Sequence, residues 1–339
     1  MTTLHIRALR LAGQLGTDPE PPLLWSLALA ALTRGEWESA HAFGTQLQAR
    51  AERDDDQVLS VESDYILGIA AYWPGHLTTA RAHFGAAAMR HFRPALRHAH
   101  VLRYGQDPEL LVRLRLAHTL WLLGHPDDAD HQQDLVRNAL DTAGESAHPY
   151  SRATVWVWSA ILAMDRRDTE RIRHGVRTLH AGAVDDAPAQ IRLVAEMFAG
   201  HLDVLDGRTA AGLARVRAVR DHVMGRGQAP APGVPGMATR LLLEDYAVAG
   251  EPAAGLALAD EALGMGCGAE LWEAEIRRLR ASFLAALGAP GDEVLAELER
   301  ALAVARRQRA RAFGQRVRET LAERFPGHDR ALGREPEKE

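Results

Sequence analysis

Three stretches gather side chains able to do chemistry. HFRPALRHAH, residues 91–100, carries three histidines, and HPDDADHQQD, residues 125–134, mixes histidines with carboxylates. YGQDPELLVRLRLAHTLWLLGHPDDA, Tyr104 to Ala129, places glycines, carboxylates and histidines around an apolar run. Clustered imidazoles and carboxylates suggest a metal centre or general acid–base catalysis. The spacings argue against both. No HExxH or other zinc spacing occurs, and Pro94 interrupts the first histidine cluster. No GxSxG nucleophile turn occurs, and Cys267 is the single cysteine, so neither an intrachain disulfide nor a multi-thiolate zinc site can form. Lys338 is the single lysine, which removes P-loop, kinase and Schiff-base chemistry together. The paired acids Asp54 to Asp56 and Asp185–Asp186 read as solvated loop residues. No catalytic residue, metal or cofactor is expected.

The same stretches read well as helix punctuation. Asp107 is a helix N-cap, Pro108 the first helical residue and Glu109 a first-turn acid, the order seen again in DPE at residues 18–20. HPDDA then opens a second helix, its acids facing the positive end of the helix dipole.

This punctuation recurs. Gly35, Gly75, Gly124, Gly207, Gly250 and Gly288, with a degenerate copy at Arg167, mark turns 38 to 49 residues apart. Seven residues before them stand Ala28, Gly68, Ala117, Ala160, Gly200, Leu243 and Ala281, mostly small enough to let two helices cross closely. No region shows the period-two alternation of strands. The expected fold is all-α: a solenoid of about seven helix-turn-helix repeats forming a right-handed superhelix. Residues 1–339 form one such domain, with a flexible Pro/Gly loop at 225–237 and a disordered tail at about 328–339.

The pattern resembles the tetratricopeptide (TPR) repeat, and more closely the TPR region at the C-terminal end of bacterial AAA/STAND ATPases joined to adenylate cyclase or transcription-activator domains. YGQDP, LWLLGHPDDA, AHPYS, LWEAEIRRLRASFL and ALAVARRQRA carry this resemblance, in the family's order. It implies a bacterial signalling or regulatory module that binds proteins or senses signals without catalysing a reaction. The family's ATPase and cyclase segments are absent from this sequence, so those activities do not transfer.

In such a fold the first helix of each repeat lines a concave groove. The register turns Trp25, Tyr65, Tyr72, His118, Trp121, His201, Arg240 and Arg278 toward it. The early repeats therefore offer aromatic and apolar surface, the later ones Arg240, Glu244, Glu275 and Arg278. The Lys and Asn by which TPR domains clamp peptide carboxylates do not occur at these places. The expected partner is a protein or peptide seated in the groove; the alternative is a sensor binding a small apolar ligand there. A third outcome is also open, in which a tight superhelix buries these rings as core.

A formal net charge of −5 gives no general attraction to nucleic acid or anionic membrane. The Arg-rich segment 306–318 is flanked by glutamates and lacks interleaved aromatics, so it reads as a solvated capping helix. The N-terminus lacks a signal-peptide h-region and no apolar run reaches membrane-spanning length. A cytoplasmic protein without a membrane partner is expected.

Overall fold

The structure, a computed structural model, describes residues 19–90, 94–105, 107–143, 149–181, 189–225, 233–265 and 270–326. The described residues are all-helical, with no strand among them. Fourteen of the helices form seven consecutive pairs: α1 (Pro21–Thr33) with α2 (Trp37–Asp54), α3 (Gln57–Tyr72) with α4 (Leu77–Met89), and α6 (Pro108–Leu122) with α7 (Pro126–Ala143). Then come α8 (Pro149–Arg166) with α9 (Thr169–Ala181), and α10 (Ala189–Leu205) with α11 (Thr209–Gly225). α12 (Val234–Ala249) with α13 (Pro252–Met265), and α14 (Glu273–Ala286) with α15 (Gly291–Gln308), complete the pairs. Two helices stand outside the pairing: α5 (Pro94–Tyr104) and α16 (Arg311–Arg324).

All seven anchors have left-handed backbone, with φ from 58° at Arg167 to 88° at Gly124. Each ends its helix in the same way. The N–H of the residue after the anchor donates to the carbonyl five residues back, as in His125 to Leu120 at 2.9 Å and Asp168 to Ala163 at 2.8 Å. This cap needs a left-handed residue, which glycine supplies without strain and Arg167 adopts against its Cβ. Proline at N1 or N2 starts α1, α6 and α12.

The small residues upstream serve close approach. A Cβ added to Gly68 would sit 2.4 Å from the Phe84 ring on α4, and one on Gly200 would be 3.0 Å from the Gly212 carbonyl on α11. The longest interval between anchors, from Gly75 to Gly124, contains α5. Its first residue is Pro94, so the proline expected to interrupt the histidine segment instead opens a helix. The expected Pro/Gly loop is likewise shorter on its C-terminal side, since Val234 to Met237 already belong to α12; residues 226–232 and 327–339 lie outside the described residues.

First helices contact first helices along the chain: α6 meets α8, α8 meets α10, α10 meets α12 and α12 meets α14, and α14 meets the unpaired α16. α16 in turn meets α6. These six helices therefore form a closed ring of contacts; α3, α4 and α5 pack against α6, and α1 packs against α3 and α5. One apolar cluster runs from Leu24 to Phe313 through this arrangement. No helix among the described residues is long and apolar enough to cross a membrane.

Candidate functional site

Inside the ring the first helices meet through polar groups. The Tyr72 hydroxyl donates to His118 Nδ1 at 2.5 Å, and His118 Nε2 donates to Asp165 Oδ2 at 2.9 Å. Asp165 accepts from Nε2–H, and in the neutral imidazole Nδ1 then accepts from the phenol. Burial pushes the Tyr72 phenol far above its ordinary range, so it stays protonated. Trp272, at the end of a short 3-10 turn (Glu270–Trp272), donates Nε1–H to the same Asp165 Oδ2 at 2.8 Å. Arg316 on α16 donates to the Asp165 backbone carbonyl. α3, α6, α8, the turn before α14 and α16 thus converge on one buried carboxylate residue.

A second carboxylate, Glu275, collects the arginines. Arg278 binds it through Nε at 2.8 Å and Nη2 at 2.7 Å, a bidentate pair, with Arg240 at 3.3 Å, Arg316 at 3.4 Å and Arg167 at 3.6 Å. Burial alone would raise the Glu275 carboxyl, but Arg278, Arg240 and Arg316 outweigh it and hold it well below the ordinary carboxylate range. Glu244 is lowered too: burial opposes ionisation, and Arg240, bound at 2.7 Å, prevails. Asp165 Oδ1 lies 4.0 Å from Arg240 and joins the two halves of the network.

Beside this network lies an arginine of a different kind. Arg115 on α6 is 3% exposed, and its Nε and Nη1 have no hydrogen-bond partner among the described residues. Rings surround it. Its Cζ lies 3.8 Å from the Trp158 centroid, 5.6 Å from Trp73 and 5.7 Å from both Tyr65 and Tyr72. Trp73 Nε1 is a further buried donor without a hydrogen-bond partner among the described residues.

Of the eight residues read from the register, Tyr72, His118, Trp121, Arg240 and Arg278 belong to the network or its edge. Trp121 is partly buried, 6.2 Å from His118 and 6.0 Å from Phe313 on α16, with the Arg316 Cζ 5.6 Å from its centroid. Tyr65 walls the Arg115 site. The other two lie apart. Trp25 donates to Glu62 at 2.9 Å, which also holds His100 at 2.8 Å, and His201 binds Asp245 at 2.5 Å. Burial raises the Asp245 carboxyl despite His201. All of them except Trp121 are buried, so the rings pack within the protein rather than lining an open surface.

Arg115, Asp165, Trp73, Trp158, Trp272 and Arg316 escaped the sequence reading. The register contained a signal for four of them: Arg115 and Trp158 stand nine residues before their anchors, and Trp73 and Asp165 two before theirs. Nine and two differ by a heptad, so both positions share the inner stripe. Trp272 and Arg316 lie off the register. Arg316 also corrects the reading of a solvated end, because its side chain is 13% exposed and reaches into the network. Among the described residues no group of three or more His, Cys, Asp or Glu side chains could hold a metal ion. Cys267 and the acids 185–186 lie outside the described residues.

A cleft of about 440 Å³ lies elsewhere, against α2, α3 and α5, with Glu52, Asp55 and Asp56 at its rim. Its acids have local work: Asp56 caps α3 through Val58 and Leu59 and pairs with Arg103 at 2.9 Å. Among the described residues the donors and acceptors of the buried network are paired except at Arg115, Trp73 and single atoms such as Asp165 Oδ1 and Arg240 Nε. The chain matches no model of a known protein family and no curated protein, and its function is therefore read from these residues.

Proposed function

We propose that this chain is a non-enzymatic sensor module of a bacterial regulatory system, a TPR-like solenoid wound so tightly that its concave face closes on itself. One observation carries the reading: α16 returns to α6 and α8, with Arg316 on the Asp165 carbonyl and Phe313 against Trp121. A groove closed by its own last helix does not offer an open seat to a partner helix. It suits a ligand that enters between first helices and shifts a balance between closed and open rings. The buried charges support this, since ion pairs taken out of water contribute little net stability and leave a ring that can be opened at modest cost.

A second reading, a protein-interaction scaffold, is favoured by a different surface. Met89 at the end of α4 is 79% exposed and Leu102 on α5 is 72% exposed, with Val101 beside it. A partner would then dock on the helix that interrupts the repeats rather than in the groove.

Hydrogen exchange across α6 and α16 discriminates the two, with the dialysable and the protein fractions of the native cell added separately. For a sensor, the dialysable fraction changes exchange in the ring. If only the protein fraction acts, and Met89→Glu with Leu102→Glu abolishes its effect, the sensor reading is wrong and the scaffold reading stands.

A further inference from the structure

We infer that Arg115 and Trp73 form a binding site for the carboxylate of a small aromatic or apolar organic acid. The inference deepens the sensor reading by naming its ligand class, and rests on that reading only for what binding does to the ring. Four observations converge. Arg115 is almost wholly buried yet makes no ion pair among the described residues, while Arg240, Arg278 and Arg316 share Glu275. A buried guanidinium without an anion loses more hydration than stacking on rings returns.

The unpartnered atoms around it, Arg115 Nε and Nη1 and Trp73 Nε1, are all donors. The complementary group is therefore an acceptor with negative charge. The carboxylates of the network face other groups: Asp165 Oδ2 takes His118 and Trp272 while its Oδ1 lies 4.0 Å from Arg240, and Glu275 takes its arginines; neither pairs with Arg115 among the described residues. One arginine and one indole suit a monoanionic carboxylate, whereas a phosphate dianion calls for more cations than this site has.

The walls select the rest of the ligand. Tyr65, Tyr72, Trp73 and Trp158 present ring faces, which fit an aromatic or aliphatic body and no second charge. Trp158 covers the guanidinium at 3.8 Å and is only partly buried, so it is the wall whose rotation opens the site to solvent.

The test titrates the full chain with phenylacetate, its neutral isostere phenylacetamide, inorganic phosphate, and a short peptide with a free C-terminal carboxylate. Tryptophan fluorescence and Tm are read. Phenylacetate is expected to quench wild type saturably and to raise Tm, phenylacetamide to do neither, and Arg115→Met to lose at least tenfold in affinity. Arg115→Met should itself remain folded, with a Tm no lower than wild type, because it removes a buried charge. Arg115→Lys, which keeps the charge and loses the planar donors, serves as the second variant and should bind more weakly than wild type.

Binding by the peptide alone, with no response to phenylacetate, would overturn the ligand class and assign the carboxylate to a chain end. Equal responses of wild type and Arg115→Met, a response to phosphate only, or no response to any probe would overturn the proposal. Hydrogen exchange at α6 and α16 separates the two claims. Phenylacetate that binds through Arg115 and leaves the ring unchanged keeps the site and removes the sensor reading.

Discussion

Tyr72, His118 and Asp165 show what single residues contribute here. Each is buried, and each has its hydrogen bond to the next. Tyr72→Phe keeps the ring and leaves His118 Nδ1 buried without a donor, which should cost about 1–3 kcal/mol in urea unfolding. Glu275 makes a pH prediction. Its folded carboxyl is held below the ordinary range by the arginines around it, so the unfolded chain binds the proton more readily. The stability it contributes is complete above the ordinary glutamate range, begins to fall as the pH drops below about 5, and goes on falling until the pH passes through the much lower folded value. Glu275→Gln should lower stability at neutral pH by about 3–5 kcal/mol, since it leaves buried arginines uncompensated, and should flatten this acid limb. An acid limb as steep in the variant as in wild type would show that other carboxylates set it.

At the level of elements, the turns were legible and the insertion was not. A left-handed cap selects glycine so strongly that six anchors stand out by residue type, and the register carried the seventh, Arg167. α5 was hidden because its first residue, Pro94, lies in a histidine-containing segment that also fits a loop. It also stands outside the pairing, between the second and third pairs, so no anchor of the repeat marked it. Two glycines of the second pair test the packing argument. Gly68→Ala would drive a methyl into Phe84 and should cost about 1–3 kcal/mol. Gly85→Ala, in α4 with nothing near the added methyl, should stabilise by up to about 1 kcal/mol. Thermal melts of the two variants should therefore move in opposite directions; a shared direction would refute the close crossing of α3 and α4.

At the scale of the whole molecule, the register placed side chains on the inner stripe without showing what they face. Asp165 finds Trp272 107 residues away and Arg316 151 residues away, and no local pattern encodes such partners. Ring closure makes that pairing, and it turns an expected groove lining into an interior. Detaching α16 with Phe313→Ala and Arg316→Met should open the ring. The radius of gyration in small-angle scattering should rise, and amides of α6 and α8 should exchange faster while those of α2 and α3 do not. Unchanged scattering and exchange would mean that α16 is an ornament on a ring held shut by other contacts.

The return of α16 to α6 also sets a schedule. Asp165 leaves the ribosome well before Arg316 is made, and at common synthesis rates the 151 residues between them take roughly 10–30 s. Throughout that interval the nascent interior is wet and its carboxylates are hydrated. The loss of that hydration falls on the last stage of folding, when the late-made helix arrives with its own arginine. A ribosome stalled before residue 311 would therefore hold out a chain with most of its pairs formed and its polar interior still open to water.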